Sequence, residues 1–312
     1  MIISGMFLFI SLVLIVFSAN ILVSGASSMA RKNGISPFVI GLTILAFGTS
    51  APELTVNIFS SLNNESSIAF GNIVGSNIFN ILVILGLASI IHPLSTGKGT
   101  VWKEIPIALA SALAVLILPL LSRQNTILRF YGIILILFFI VYILFTLKNI
   151  KITSRVSDIS LMSNTRSLIY MIAGLTGLFL GGRYVVLNSV RIAELLNIDG
   201  RIISITIIAA GTSLPEMATS VMAAIKGEDD IAVGNIVGSN IFNILLILGI
   251  SSTIKPIHIS TTMFIDVSVM IIASLILFLA MFTGKKRVID RFEGIIMLCL
   301  YAIYIAYVII MR

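Results

Sequence analysis

Long apolar runs alternate with short polar segments along the whole chain. A helix needs roughly 20 apolar residues to cross a bilayer, and ten runs come close to that length. The predicted spans are 3–25, 36–61, 67–91, 104–121, 127–147, 168–194, 202–225, 231–254, 263–283 and 291–311. The pattern therefore predicts an all-α membrane protein with ten transmembrane helices.

The longest polar segment, 148–166, separates a first half (1–147) from a second half (167–312), each with five predicted spans. The halves repeat each other. "GTSAPE" at 48–53 returns as "GTSLPE" at 211–216, and "GNIVGSNIFNI" at 71–81 returns unchanged at 234–244. These motifs lie in two wider regions, 41–86 and 204–249. Because five is odd, the second copy enters the membrane from the opposite side, which predicts an inverted repeat of the kind that many transporters use.

Composition supports a membrane location. Of the 312 residues, 58% are hydrophobic and only 11% are charged, whereas soluble domains average about 25% charged residues. The net charge of +7 does not indicate nucleic-acid binding, because the basic residues are scattered among short loops. The single cysteine, Cys299, allows neither a disulfide framework nor a thiolate metal site.

The basic residues also predict the orientation of the chain. Thirteen Lys and Arg residues lie in the loops on one side of the predicted spans and six lie on the other side. The positive-inside rule makes the first side cytoplasmic. Both termini are then extracellular, and the loop 148–166 is cytoplasmic. Arg183 lies inside the sixth span, and we expect it near the outer end, where it can snorkel to the interface.

The two "GTSxPE" motifs interrupt apolar spans two and seven. Pro52 and Pro215 cannot donate a helical hydrogen bond and disfavour helix at the residue before them. Each span is therefore predicted to consist of two half-helices that meet near the middle of the membrane. Residues 50–53 and 213–216 also match a capping box, in which a serine hydroxyl caps the second half-helix and Glu follows three residues later.

Each predicted break concentrates oxygen atoms. Unpaired carbonyls are expected around Ala46 and Ala209, where the first half-helix ends, and Glu53 and Glu216 begin the second. Helices three and eight add polar stripes at i, i+4 and i+8, which consist of Asn72, Ser76 and Asn80 and of Asn235, Ser239 and Asn243. A Glu that served only to stabilise the break would cost on the order of 3 kcal/mol at mid-bilayer. Because the chain carries this cost at both Glu53 and Glu216, we infer a site for a hard cation such as Ca²⁺ or Na⁺.

The repeated motifs resemble the α-repeats of the calcium/cation antiporter superfamily, most closely those of its sodium/calcium exchanger branch. The resemblance implies a helical bundle in which broken helices two and seven and polar helices three and eight bind Ca²⁺ and Na⁺ in turn, while spans one and six slide across the rest. It implies ion ligands at Glu53, Glu216, Asn80, Asn243, Thr49, Ser50, Thr212, Ser213, Ser76 and Ser239, and at the backbone carbonyls of Ala46 and Ala209. No cofactor is expected beyond the transported ions.

Two features distinguish this sequence within that superfamily. Several exchanger branches have an aspartate where this chain has Asn243. With amides at Asn80 and Asn243, the predicted site holds two carboxylates, whose charge one Ca²⁺ or two Na⁺ would balance. Thr49 and Thr212 stand where the proton-coupled branch typically has an asparagine, which favours Na⁺ over H⁺ as the coupling ion.

Other functions use the same residues. A Ca²⁺ antiporter that is driven by H⁺ or requires K⁺ stays open as the alternative. A passive cation channel could use the same ligands, but the inverted repeat favours a carrier. An intramembrane hydrolase is disfavoured, because no histidine lies at membrane depth. We therefore expect a cell-membrane antiporter, not an enzyme, whose partners are Ca²⁺, Na⁺ and the lipid bilayer, with no nucleic acid. A monomer is the expected state.

Overall fold

The computed structural model describes residues 2–122, 124–148, 161–195, 209–284 and 286–311. These residues form helices joined by short connections and two small strand pairs. The helices are α1 (Ile2–Asn33), α2 (Pro37–Thr49), α3 (Ala51–Leu62), α4 (66–91), α5 (Thr100–Leu120), α6 (Arg129–Lys148), α7 (Asn164–Leu195), α8 (Ala209–Thr212), α9 (Leu214–Ile225), α10 (Asp229–Ile254), α11 (Thr261–Ala280) and α12 (Arg291–Met311).

Within the described ranges, eight single helices are long and apolar enough to cross a membrane. They correspond to eight of the predicted spans. The predicted span 36–61 is the pair α2 and α3, which meet at a 44° bend. Only 209–225 of the predicted span 202–225 is described, as α8 and the shorter apolar helix α9. The helical membrane architecture is confirmed, and residues 202–208 lie outside the described range.

The first helix is longer than its predicted span, 3–25, because it continues to Asn33. Its end follows from local chemistry. Gly34 adopts the left-handed conformation, with φ of 65°, and the Ile35 N–H donates to the Ala30 carbonyl at 2.9 Å. This is a Schellman motif, in which a glycine beyond the helix end satisfies terminal carbonyls. Hydropathy alone therefore stopped short of the true helix end.

Helices α4 and α10 form the centre of the bundle. In α10, 94% of the most apolar 18-residue window is buried, and in α4 the share is 72%. The corresponding share is only 17% in α6 and in α12, whose outer faces expose large apolar side chains such as Phe138 and Ile303. Such faces match a lipid environment. The most buried helices are thus the two that contain the "GNIVGSNIFNI" copies.

Two short antiparallel strand pairs join the first half of the chain to the second. Strand β1 (Leu94–Ser95) pairs with β4 (Val288–Ile289), and β2 (Thr126–Ile127) pairs with β3 (Ile257–His258). The strands lie in the connections α4–α5, α5–α6, α10–α11 and α11–α12. Each pair therefore ties a connection of one half to a connection of the other.

Helix α1 also contacts the turn between α9 and α10 through polar side chains. Glu228 accepts hydrogen bonds from Arg31 and Ser27, both at 2.5 Å. The Lys226 ammonium donates to the Asn20 carbonyl at 2.7 Å. These contacts hold the end of α1 against the second half of the chain.

Helices α1 and α7 pack closely because α7 has glycines at the crossing. A Cβ atom added at Gly174 would lie 2.6 Å from Leu22 Cβ and 2.9 Å from the Ser18 carbonyl oxygen. At Gly181 the added atom would lie 2.7 Å from Ile15 Cγ1. Contacts this short are not tolerated without movement of the backbone, so glycine sets the distance between the two helices.

We expect Gly174→Ala to destabilise the protein by about 1–3 kcal/mol, the usual range for overpacking. Gly5→Ala is the matched control, because it gains the same helix propensity but its added Cβ would have no neighbour within 4 Å. Thermal unfolding of the two variants in detergent measures the difference. Equal melting temperatures would show that the α1–α7 crossing does not depend on glycine.

Candidate cation site

Two breaks of matching geometry place the carboxylates. Ser50, between α2 and α3, has φ and ψ of −83° and 7°, and Ser213, between α8 and α9, has −89° and 6°. The proline that follows each serine has no N–H for the preceding turn. Glu53 and Glu216 lie in the first turn of the next helix, and each is 1% exposed. The sequence prediction of a break at each "GTSxPE" motif is confirmed.

The serine of each motif contacts the carboxylate of the other motif. The Ser50 hydroxyl donates to Glu216 Oε1 at 2.8 Å, and the Ser213 hydroxyl donates to Glu53 Oε1 at 3.2 Å. The predicted capping boxes are therefore wrong, since neither serine caps its own helix. A side-chain cap requires an extended backbone at the N-cap, and both serines have ψ near zero.

Two further serines complete the buried hydroxyl groups. Ser239 Oγ lies 3.0 Å from Ser50 Oγ and 3.4 Å from Glu216 Oε1. In the equivalent place, Ser76 Oγ lies 3.2 Å from Ser213 Oγ. Helices α4 and α10 thus bring their central serines to the two breaks, as the polar stripes predict.

The threonines of the motifs contact the first amides of the stripes. Thr49 Oγ1 lies 3.2 Å from Asn235 Oδ1 and 3.0 Å from the Leu45 carbonyl oxygen. The Thr212 hydroxyl donates to Asn72 Oδ1 at 3.2 Å. Their hydroxyls therefore link each break to the polar helix of the opposite half.

The expectation of an unpaired carbonyl at Ala46 is wrong. Its oxygen accepts a hydrogen bond from the Ser50 N–H at 3.0 Å, because α2 keeps its helical bonding up to the break. The carbonyl retains a second lone pair that a cation could use. Ala209 is the first described residue of α8, so the equivalent carbonyl stands at the edge of the described range.

Asn77 and Asn240 belong to the site but are absent from the sequence prediction. Asn80 Nδ2 donates to Asn240 Oδ1 at 2.9 Å, and Asn243 Nδ2 donates to Asn77 Oδ1 at 3.0 Å. Asn77 and Asn240 also exchange longer side-chain-to-backbone contacts of 3.5 and 3.4 Å. Both lie inside the repeated "GNIVGSNIFNI" motif, and its identity in the two halves was the signal that could have identified them.

The hydrogen bonds between these side-chain amides leave the Oδ1 atom of one asparagine on each stripe without a hydrogen-bond partner. The buried side-chain oxygens that accept no hydrogen bond within the described residues include Glu53 Oε2, Glu216 Oε2, Asn80 Oδ1 and Asn243 Oδ1. Buried polar atoms are normally paired, and each unpaired one costs about 1–3 kcal/mol. Two oxygens come from each half. A set of carboxylate and amide oxygens of this kind suits a hard cation.

Carboxylates and neutral oxygens are the donors available at this site. In the part of the chain that the structure describes, no group of three or more His, Cys, Asp or Glu residues is arranged to hold a metal ion. The formal negative charge of the candidate site therefore comes from Glu53 and Glu216. Carboxylate, amide and hydroxyl oxygens of this kind suit cations that prefer oxygen ligands.

Comparison with known proteins identifies the family of the chain. Residues 3–148 and 166–310 match the family model described as sodium/calcium exchanger protein. The chain is 33% identical to the sodium/calcium exchanger MaX1 of Methanosarcina acetivorans over 96% of both chains. It is 36% identical to the inner membrane protein YrbG of Escherichia coli over 88% of both.

A solved structure of the sodium-calcium exchanger NCX_Mj, soaked with 10 mM Na⁺ and no Ca²⁺, has a similar fold. The TM-score is 0.86 with 32% sequence identity, and the alignment covers 98% of this chain and 99% of that one. The match of the family model extends over both halves. This multi-pass membrane protein therefore belongs to the sodium/calcium exchanger family of cation transporters.

Proposed function

We propose that the protein is a secondary active antiporter that exchanges Ca²⁺ for Na⁺ at a site built from Glu53 and Glu216. The unpaired buried oxygens of Glu53, Glu216, Asn80 and Asn243 carry this proposal, because one cation between them would satisfy all four at once. The names of the relatives add support, since MaX1 is a sodium/calcium exchanger and NCX_Mj was soaked with Na⁺ and with Ca²⁺ or Sr²⁺.

The proposed ligands surround the two breaks. Glu53 and Glu216 supply charge, Asn80 and Asn243 supply amide oxygens, and the remaining proposed donors are the hydroxyls or carbonyls of Thr49, Ser50, Thr212, Ser213, Ser76, Ser239, Ala46 and Ala209. Ca²⁺ takes six to eight oxygen ligands in flexible geometry. Na⁺ would use an overlapping subset, so that the two ions compete.

Competition for the carboxylates would couple the two fluxes. An empty site with two buried charges is costly to move through an apolar barrier, whereas a cation-loaded site is neutralised. The bundle would therefore rearrange only when ions occupy it. Exchange follows without any covalent step, because each ion leaves the site on the side opposite to its entry.

The proposed architecture is ten spans in two inverted halves, 1–147 and 167–312, joined by 148–166. Reciprocal contacts support it, since Ser50–Glu216 corresponds to Ser213–Glu53. The strand pairs correspond in the same way. An inverted repeat would give the site two related access routes, one to each side of the membrane.

Separate ion gradients test the proposed function. In proteoliposomes, a Na⁺ gradient should drive ⁴⁵Ca²⁺ uptake, whereas K⁺ or H⁺ gradients alone should not. Glu53→Gln and Glu216→Gln should each abolish this uptake because they remove a charge that binds Ca²⁺. Glu65→Gln, a change of an exposed carboxylate, should retain it. Uptake at the wild-type rate in either buried-glutamate variant contradicts the proposal.

Ion binding should also stabilise the fold. At a Ca²⁺ concentration about 100 times the Kd, linkage predicts a gain of about 2.7 kcal/mol, which thermal unfolding in detergent can measure. Glu216→Gln should eliminate this gain, and Glu65→Gln should keep it. In chelator, Glu216→Gln should be at least as stable as the wild type, because the isosteric amide removes a buried charge. An undiminished Ca²⁺ gain in Glu216→Gln rules out this site.

The proposed orientation has extracellular termini and a cytoplasmic 148–166 loop. In a Cys299→Ser background, a membrane-impermeant maleimide should label Asn63→Cys, which lies in the exposed α3–α4 turn, in intact cells. Ser157→Cys in the 148–166 loop should react only after permeabilisation. The reverse labelling pattern would invert the orientation.

A further inference from the structure

Arg183 lines a cavity beside the break between α8 and α9. Phe179, Gly182, Arg183 and Val186 follow the i, i+3, i+4, i+7 spacing of one helix face, and all four line a cavity of about 280 Å³. The opposite wall of this cavity consists of Pro52, Thr55, Val56, Gly211, Thr212 and Pro215. The position of Arg183 relative to the membrane surface stays a prediction.

Neighbouring contacts fix its depth. A Cβ atom placed on Gly182 would lie 3.8 Å from Pro215 Cγ and 4.0 Å from the Gly211 carbonyl oxygen. Arg183 is the next residue along α7 and is exposed. The cavity also reaches Thr212, whose hydroxyl is bonded to Asn72 of the site. A permanent positive charge therefore lies at the level of the break, one cavity away from the buried carboxylates.

An arginine at this depth calls for an explanation. Charged residues inside a membrane are costly and usually face a water-filled cavity or an opposite charge. Within the described residues, no carboxylate forms an ion pair with Arg183. The acidic groups closest along the chain to the cavity-lining residues are Glu53, next to Pro52, and Glu216, next to Pro215, both buried. The positive charge thus lies in a cavity that is bordered by the residue before each carboxylate.

We propose that Arg183 sets the selectivity of the site between divalent and monovalent cations. This inference rests on the proposed function, since it concerns the ions that compete for Glu53 and Glu216. The Coulomb energy of an ion in the field of Arg183 is proportional to the charge of the ion. Its free-energy penalty for Ca²⁺ is therefore twice that for Na⁺, and its effect on the Ca²⁺ binding constant is the square of its effect on Na⁺. Arg183 thereby weakens the binding of one Ca²⁺ more than the binding of one Na⁺.

The test compares ion affinities in charge variants. Arg183→Gln removes the charge, Arg183→Met does so with another side chain in case the first variant does not fold, and Arg183→Lys retains the charge. Arg191→Gln is the matched control, because it removes a charge from the same helix about 12 Å further along, beyond a Debye length at 0.1 M salt. Ca²⁺ and Na⁺ are titrated separately into detergent-solubilised protein by calorimetry, and ⁴⁵Ca²⁺ uptake is measured in proteoliposomes.

The expected result is a squared relation. If neutralising Arg183 tightens Na⁺ binding about threefold, Ca²⁺ binding should tighten about ninefold, while Arg183→Lys and Arg191→Gln leave both affinities near the wild-type values. Equal factors for the two ions, no change, or a loss of selectivity in Arg183→Lys would overturn the inference. The inference would also be overturned if Arg191→Gln changed the two affinities as much as Arg183→Gln does.

The two proposals fail in distinguishable ways. If the wild-type protein binds both ions but no Na⁺ gradient drives Ca²⁺ flux, the proposed exchange fails, while the titrations still decide the role of Arg183. If exchange is observed and the neutral variants do not follow the squared relation, the role of Arg183 alone fails.

Discussion

The exchange of serine hydroxyls between the two halves is the interaction on which the structure of the site depends. Ser50 donates to Glu216 and Ser213 donates to Glu53, so that neither break is complete without the other half of the chain. Hydrogen bonds to a charged group contribute about 1.5–3 kcal/mol, and here they also fix one oxygen of each carboxylate. The second oxygen of each carboxylate accepts no hydrogen bond. Each carboxylate is thus held in place by a serine from the other half of the chain.

Much of this arrangement follows from local chemistry that the sequence displays. Pro52 and Pro215 predict the breaks, and the stripes of α4 and α10 predict which faces supply oxygen. The partners of the serines could not be predicted, because an i, i+3 spacing describes contacts within one helix and Ser50 finds its partner 166 residues away. Asn77 was missed for a related reason. It lies one residue off the stripe, and its contacts with Asn240 and Asn243 exist only where α4 meets α10. The proposed roles of these residues in ion binding remain predictions.

The amide groups show how a neutral residue can prepare a charged site. Asn240 accepts a hydrogen bond from Asn80 Nδ2, and Asn77 accepts one from Asn243 Nδ2. The Oδ1 atoms of Asn80 and Asn243 are left without a hydrogen bond. Pre-oriented dipoles of this kind do not have to reorganise when a cation arrives. The four amides therefore add oriented oxygen donors beside the two carboxylates and add no further charge, which would be costly to bury in a membrane.

The location of the strand pairs has a mechanical consequence. The backbone hydrogen bonds between the halves lie in connections of α4, α5, α6, α10, α11 and α12, whereas α1 and α7 adjoin none of them. The polar ties of α1 to the α9–α10 turn include Arg31, whose side chain is 51% exposed, and ion pairs that reach solvent contribute only about 0–1 kcal/mol. Six helices are thus braced as a frame by the strand pairs, and the glycine-packed helices α1 and α7 stand outside this bracing. A displacement of that pair would leave every interstrand bond of the frame intact.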